Sequence, residues 1–230
     1  MQSPLELRGP LLRDGVGSYY LRNVTAGVFA GDSYHIDVTA EAESTVRIGS
    51  TSASKVHTMP RDGSASSVAR LVAEPGSTLV WGPHSTILQA ASDYRQSLDV
   101  VVLPGARVYL AEVLVFGRLA RGEHCAFRRF ASDLMIEDGL RVQFEERFVL
   151  EPGPALDDAL GGHGCLVSVY ALGDLSADAR PQLQGVVEGN HCAGATHLPN
   201  RAGVLLRGLS DSLSAGIALA EAALAAAVPR

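Results

Sequence analysis

The stretch Ala69-Arg70-Leu71-Val72-Ala73-Glu74-Pro75-Gly76-Ser77-Thr78-Leu79-Val80-Trp81 reads as a strand, a Pro-Gly turn and a second strand. The same phrase occurs at residues 36–48 and 98–110. When the copies are aligned on the residue after the turn (Ser44, Ser77 and Ala106), they lie 33 and 29 residues apart. A period of about 20–50 residues is typical of stacked repeats, in which no single copy can bury its apolar face alone.

This repeat, with alternation of period two through most of residues 5–149, predicts a mainly β protein. We expect a β-helical, solenoid-like stack of strands with a C-terminal α-helix at about 211–228, capped by Ser210 or Asp211, in one domain over residues 1–230. The predicted strands are 34–40, 45–50, 67–73, 78–81, 86–88, 96–103, 107–116, 123–131, 134–136, 140–150, 165–171, 183–188 and 204–209, with one helical turn at 155–160.

Bulk composition narrows the classes of partner. The net charge of −6 argues against nucleic-acid binding, which needs a basic stripe. Residues 213–228 are too short and, with Glu221 in their middle, too polar for a membrane span. The three cysteines show no CxxC spacing and the N-terminus shows no secretory signal, so we expect a reduced, cytoplasmic protein.

The sequence contains no recognisable catalytic motif, neither a GxSxG nor a phosphate-binding loop. Residues 161–165, Gly-Gly-His-Gly-Cys, are interpreted as a turn, and Glu145 and Glu146 would face opposite ways on a strand. We therefore predict no catalytic residues and no enzymatic activity. A β-solenoid enzyme or carbohydrate-binding module is the alternative, but the aromatic content of 6% with one Trp disfavours its ligand groove.

The seven histidines lack the HxH, HExxH or CxxC spacing of a preformed metal site, so no tight metal site is predicted. His124-Cys125 and His191-Cys192 are adjacent pairs, whose members would point to opposite faces of a strand. One side chain from each pair could still meet in space. A tight metal carrier that uses His191 and Cys192 therefore stays open as a third hypothesis.

Isolated charges in apolar surroundings are the most informative single residues. Glu112 interrupts the run Leu110–Phe116, and Arg118 and Glu123 follow it closely. Lys55, the only lysine, lies among small residues. A buried charge is costly unless it is paired or hydrated, so each of these residues either forms an ion pair or lines a polar channel.

Four segments, in order, resemble the urease accessory protein D family (UreD, called UreH in some bacteria). They are Ala26–Asp32, similar to the family's GGLVGGD turn; Thr51–Val56, similar to TxxATKVY; Pro75–Leu88, similar to PGAxLEWLPQxTILF; and Pro104–Glu123, similar to PGAxxxxxEVLVLGRxAxGE. The resemblance is strongest over about residues 20–130. His84 stands where the family has glutamine.

The resemblance implies a non-enzymatic chaperone that docks on the urease apoprotein and binds UreF. Through UreF it would recruit the GTPase UreG, which delivers nickel, and the ion would pass through a polar internal tunnel. Asp32, Lys55, Glu112, Arg118 and Glu123 are the expected tunnel or partner contacts. We expect no tightly bound cofactor, because weak oxygen contacts suit a nickel ion in transit and a tight His/Cys site would trap it.

Overall fold

The computed structural model describes residues 4–13 and 16–229. Its strands are β1 (Leu5–Arg13), β2 (Val16–Asn23), β3 (Ser33–Ala40), β4 (Thr45–Ser50), β5 (Ser54–Val56), β6 (Ala65–Ala73), β7 (Thr78–Leu88), β8 (Asp93–Val102), β9 (Arg107–Val115), β10 (Arg129–Glu137), β11 (Val142–Leu150), β12 (Cys165–Gly173), β13 (Ala193–His197) and β14 (Gly203–Ser210). Its α-helices are α1 (Pro154–Leu160), α2 (Ala179–Val186) and α3 (Leu213–Ala227), and 3₁₀ turns span Leu119–Arg121 and Pro199–Arg201.

Two sheets face each other across one core. The larger sheet has the order β1-β2-β4-β7-β9-β12-β14-β13, with β5 beside β7, and the smaller has the order β11-β10-β8-β6-β3. Each sequence repeat starts in the smaller sheet, crosses over at its turn and ends in the larger sheet. Equivalent strands of successive repeats pair in parallel, which gives a β-solenoid of about four turns and confirms the predicted fold class.

The strand register reproduces the spacing of the repeats. Thr45 pairs with Thr78, and Thr78 pairs with Arg107, so each residue lies beside its counterpart in the next copy. The crossover turns stack in the same way: the amide of Glu43 donates to Pro75 O at 3.1 Å, and that of Gly76 donates to Pro104 O at 3.3 Å. The third turn position has a left-handed backbone in every copy, with φ of +59° at Glu43, +73° at Gly76 and +75° at Gly105.

Gly105→Ala tests the conformation of this turn. A Cβ at Gly105 would make only ordinary contact, 3.6 Å from Gly76 N, so the left-handed backbone is the main source of strain. We expect a loss of about 1 kcal/mol in the free energy of unfolding, measured by urea denaturation. Gly185→Ala is the control. Gly185 lies in α2 without close contacts, so alanine should raise the free energy of unfolding there, by up to about 1 kcal/mol, because alanine favours a helix. Equal effects at both positions would refute the conformational argument.

The chain beyond the repeats closes the larger sheet with antiparallel strands and covers its outer face. β12 pairs with β9 and β14, and α3 packs its buried face, including Ala220 and Ala223, against Val113 and Val167. The predicted terminal helix is confirmed, although its cap is Ser212, whose hydroxyl accepts a hydrogen bond from Ala215 N at 3.2 Å. Among the residues that the structure describes, none of the helices has both the length and the apolar character of a transmembrane span.

Two strand predictions were wrong. Residues 183–188 belong mostly to α2, because Ala179, Leu183 and Val187 recur at helical spacing and bury together beside α3. Residues 123–128, predicted to start a strand, form a loop that precedes β10. Cys125 has a left-handed backbone in that loop (φ +48°), which a strand does not accommodate.

Candidate functional site

A polar rung crosses both sheets in the middle of the otherwise apolar core. In the larger sheet it consists of His84, Glu112, Ser168 and Arg207, which pair in register from β7 through β9 and β12 to β14. In the smaller sheet it consists of Ser67, Gln96 and Ser132, in register from β6 through β8 to β10. Apolar clusters lie on both sides of this rung, so the rung marks a polar seam along the solenoid axis.

A β-bulge brings His84 into the seam. Leu79 and Trp81 of β7 face the core, and strict alternation would next turn Pro83 inward. The register with β9 shifts between Trp81 and His84, which places an extra residue on β7. His84 and Thr86 therefore face inward instead. The bulge also interrupts the alternation of inward and outward side chains within β7. For this reason the sequence predicts two short strands, 78–81 and 86–88, where the structure has the single strand β7.

Two internal cavities adjoin at this rung. The larger, about 250 Å³, extends from His84, Gln96 and Glu112 to the exposed residues Thr25 and Lys55, where it reaches the surface. The smaller, about 30 Å³, shares the same three residues and continues past Ser132 and Ser168 to Glu146 and Arg207. The smaller cavity has room for about one water molecule or ion.

Glu112 lies where the two cavities adjoin. Its carboxylate accepts hydrogen bonds from Gln96 Nε2, at 3.2 Å to Oε1 and 3.4 Å to Oε2, and Gln96 Nε2 also lies 3.3 Å from Ser132 Oγ. It forms no ion pair among the described residues, which disfavours the structural ion-pair interpretation. Burial raises the pKa of Glu112 to about 7, although the hydrogen bond from Gln96 and the charge of Arg207 oppose the rise. A proton or a cation could therefore occupy this carboxylate near neutral pH.

The His84 ring is neutral and available as a ligand. Burial lowers its pKa to about 4, against the opposing effect of a backbone hydrogen bond with Ile48. Its Nε2 is buried and has no hydrogen-bond partner among the residues that the structure describes. The ring lies against Trp81, with centroids 4.2 Å apart. An unprotonated imidazole nitrogen in a polar cavity can accept a hydrogen bond or coordinate a metal ion.

A charged network lines the far end of the smaller cavity. Arg207 donates to both carboxylate oxygens of Glu146, at 2.7 and 2.8 Å, and Tyr170 OH donates to Glu146 Oε2 at 2.6 Å. Burial alone would raise the pKa of Glu146, but the hydrogen bonds from Arg207 and Tyr170 and the charge of Arg207 outweigh it and lower the pKa. Glu145 is exposed, as expected for a neighbour on the opposite face.

The structure places two of the five predicted site residues on the seam. Glu112 lies at the centre of the rung. Lys55 lies outside the rung, at the exposed end of the larger cavity that leads to it. Asp32 lies outside both cavities but supports one wall: its carboxylate accepts hydrogen bonds from Phe29 N at 2.8 Å and from Tyr34 OH at 3.1 Å, and Tyr34 lines the larger cavity.

Arg118 and Glu123 form an ion pair with each other, away from both cavities. Arg118 Nε donates to Glu123 Oε2 at 2.9 Å, and Glu123 Oε1 also accepts from Ala90 N at 3.1 Å. Although burial opposes it, bonding to Arg118 lowers the pKa of Glu123. The ion pair expected as one alternative for these two residues is therefore present, and Glu123 ties the loop after β9 to the turn after β7. Their contact with a partner stays a prediction.

Sequence reasoning missed Ser67, Gln96, Ser132, Ser168 and Arg207. Ser67 and Gln96 lie 29 residues apart, the spacing of the second and third repeats, so extending the repeat alignment would have paired them. Ser168 and Arg207 lie beyond the repeats, and no pattern in the sequence relates them to Glu112.

Sequence comparisons relate this chain to one protein family. The family model described as "UreD urease accessory protein" matches residues 1–230. Urease accessory protein UreD of Haloarcula marismortui is 33% identical over 217 residues, which are 90% of this chain and 72% of that protein. UreD 2 of Streptomyces griseus is 33% identical over 92% of this chain and 76% of its own length, and UreD 2 of a Synechococcus species is 32% identical over 68% and 61%.

Proposed function

The chain belongs to the UreD family of urease accessory proteins, and from this premise we propose that it is a non-enzymatic chaperone of urease maturation. It docks on the urease apoprotein and binds UreF, through which it recruits UreG. Nickel is its cargo: the ion enters the polar seam, passes Glu112 and leaves towards urease.

The observation that carries this proposal is the in-register polar rung inside a solenoid core. Folding alone does not call for Glu112, Gln96 and His84 in a buried layer, since apolar residues there would be cheaper to bury. The carboxylate and amide oxygens of the seam are weak ligands for nickel, as release of the ion requires. Lys55, at the exposed end of the larger cavity, is a cation that discourages the ion from resting there, and at the other end the charge of Arg207 is balanced by Glu146.

Deletion of the gene in a urease-positive host tests the proposal. We expect urease protein to accumulate with little nickel, and the wild-type gene to restore the nickel content of the purified urease. Fully metallated urease in the deletion strain would overturn the proposed function. Co-purification of UreF with the chain tests the partner separately. If a variant chain binds UreF but urease receives no nickel, the defect lies in passage through the seam and the binding of UreF is intact.

Ser132→Val narrows the seam without adding a charge. Ser132 is 7% exposed and lines the smaller cavity, so the valine methyl groups would occupy the space beside Glu112. We expect a loss of about 1–2 kcal/mol in stability and at least a tenfold drop in urease nickel content in the complemented strain. Thr39→Val, on the exposed face of β3, is the control and should leave both unchanged. A Ser132→Val chain that activates urease normally would contradict passage through the seam.

A further inference from the structure

A set of side chains with potential metal-ligand atoms lies outside the seam, in the loop that follows β9 and in α1. One donor atom from each of His124, Cys125 and Asp157 lies within 4.8 Å of the other two. None of these residues lines either internal cavity. The set is therefore separate from the path proposed for nickel.

The left-handed backbone of Cys125 creates this juxtaposition. On a strand, His124 and Cys125 would point to opposite faces, but with φ of +48° at Cys125 their side chains lie on one side, and Cys125 Sγ is 3.9 Å from His124 Nε2. Two such atoms bound to one tetrahedral Zn²⁺-like ion are about 3.6 Å apart, from metal–nitrogen and metal–sulfur bonds of about 2.05 and 2.3 Å. The donors need only a small shift to share an ion.

A fourth ligand atom is at hand. The carbonyl oxygen of His163 lies 3.1 Å from His124 Nε2 and accepts its hydrogen bond. If Nε2 binds a metal ion instead of a proton, the same carbonyl or a water molecule completes the coordination. Imidazole, thiolate and carboxylate together suit late first-row divalent ions such as Ni²⁺ and Zn²⁺.

The protein holds the donors from both sides. Cys125 N donates to Phe116 O at 2.7 Å, and Ala126 O accepts from Ala91 N at 2.8 Å, so the loop is fixed at and just after Cys125. Asp157 lies in α1, whose Leu160 is buried in the same apolar cluster as Phe116. A site on such anchored elements is preorganised, which favours binding.

We propose that His124, Cys125 and Asp157 form a surface site for one late first-row divalent metal ion, distinct from the internal seam. The site goes beyond the proposed function and does not depend on it. A neighbouring pair is the natural comparison for this site. Cys192 Sγ lies 3.2 Å from His163 Nε2, while Asp211 lies 2.6 Å from His163 Nδ1 on the other side of the ring, so this pair offers one thiol and one imidazole. We assign the ion to the three-donor set.

The test uses the purified full chain and Ni²⁺ alone. Calorimetric titration should give one equivalent bound, with a thiolate-to-nickel charge-transfer band in the near-ultraviolet. Cys125→Ser should abolish that band, and His124→Ala and Asp157→Asn should each weaken binding at least tenfold. Cys192→Ser is the matched thiol control and His197→Ala the matched histidine control, and both should bind as the wild type does. Thermal melts show that each variant is folded.

Three outcomes would overturn the assignment. The first is the absence of saturable Ni²⁺ binding by the folded wild-type chain. The second is a charge-transfer band that survives Cys125→Ser and disappears in Cys192→Ser, which would place the ion on His163 and Cys192. The third is unchanged affinity in His124→Ala and Asp157→Asn. Urease activation by the wild type in the same host tests the proposed function independently, so a failure of one is distinguishable from a failure of the other.

Discussion

Glu112→Gln is expected to be more stable than the wild-type chain at about pH 8 and yet to lose urease activation at least tenfold. Burial raises the pKa of Glu112 to about 7, so at higher pH the folded wild type holds an unpaired, poorly hydrated carboxylate. Glutamine keeps the shape and, through its carbonyl oxygen, can still accept one hydrogen bond from Gln96 Nε2 without that charge. Among residues 4–13 and 16–229, the Glu112 carboxylate is also the only anionic group that lines both cavities next to His84, so its loss removes the main attraction for a cation.

The difference in the free energy of unfolding between Glu112→Gln and the wild type depends on pH. Between its ordinary value of 4.5 and about 7, the carboxyl binds more protons in the folded chain than in the unfolded chain. The stability of the wild type therefore falls as pH rises through this interval, and the glutamine variant lacks that slope. We expect the variant to gain about 1–3 kcal/mol at about pH 8 and little at about pH 4, measured by urea denaturation at both values.

Glu145→Gln is the control for Glu112→Gln, because it removes the same charge from an exposed position on β11. It should leave both stability and urease nickel content near the wild-type values. Normal urease nickel with Glu112→Gln would remove Glu112 from the nickel path. A variant less stable than the wild type at about pH 8 would show instead that the carboxylate has compensating partners.

The repeat made most of the solenoid predictable. Offsets of 33 and 29 residues, taken from the turns alone, are also the strand offsets in both sheets up to the bulge of β7, because parallel coils stack equivalent positions. Glu112 could be singled out for a related reason: a charge stands out where alternation predicts burial. The antiparallel strands after Leu150 have no repeat, and there a short amphipathic segment, 183–188, was mistaken for a strand.

The rest of the site depended on local geometry that sequence patterns do not fix. The bulge at Gly82-Pro83 decides whether His84 faces the core or the outer face, and a one-residue difference reverses the outcome. The left-handed backbone at Cys125 likewise brings together two side chains that a strand would separate. Arg118 and Glu123 looked equivalent to Glu112 as isolated charges, but they are five residues apart in a loop and neutralise each other.

Arg207→Ala is expected to lower the free energy of unfolding by about 3 kcal/mol at neutral pH, since it leaves the Glu146 carboxylate, which is 21% exposed, with Tyr170 as its one remaining side-chain donor among the described residues. In the wild type, Arg207 and Tyr170 hold the pKa of Glu146 below its usual value, so that stability is lost as pH falls through the folded pKa. Without Arg207, burial raises this pKa instead. The deficit should therefore be largest at neutral pH and shrink as pH falls through the lowered pKa of Glu146, below which the carboxyl is protonated in both chains.

Arg147→Ala is the control for Arg207→Ala. Arg147 is also paired with a carboxylate, that of Asp133, but its side chain is 76% exposed and Arg95 remains to pair with Asp133, so the loss should stay below about 1 kcal/mol. The double variant Glu146→Leu/Arg207→Met removes both charges and should recover most of the stability, because the single variant suffers mainly from an uncompensated charge. Additive losses in the double variant would contradict this. If the double variant regains stability but urease still receives little nickel, the Glu146–Arg207 pair is needed for nickel transfer and is not needed for folding.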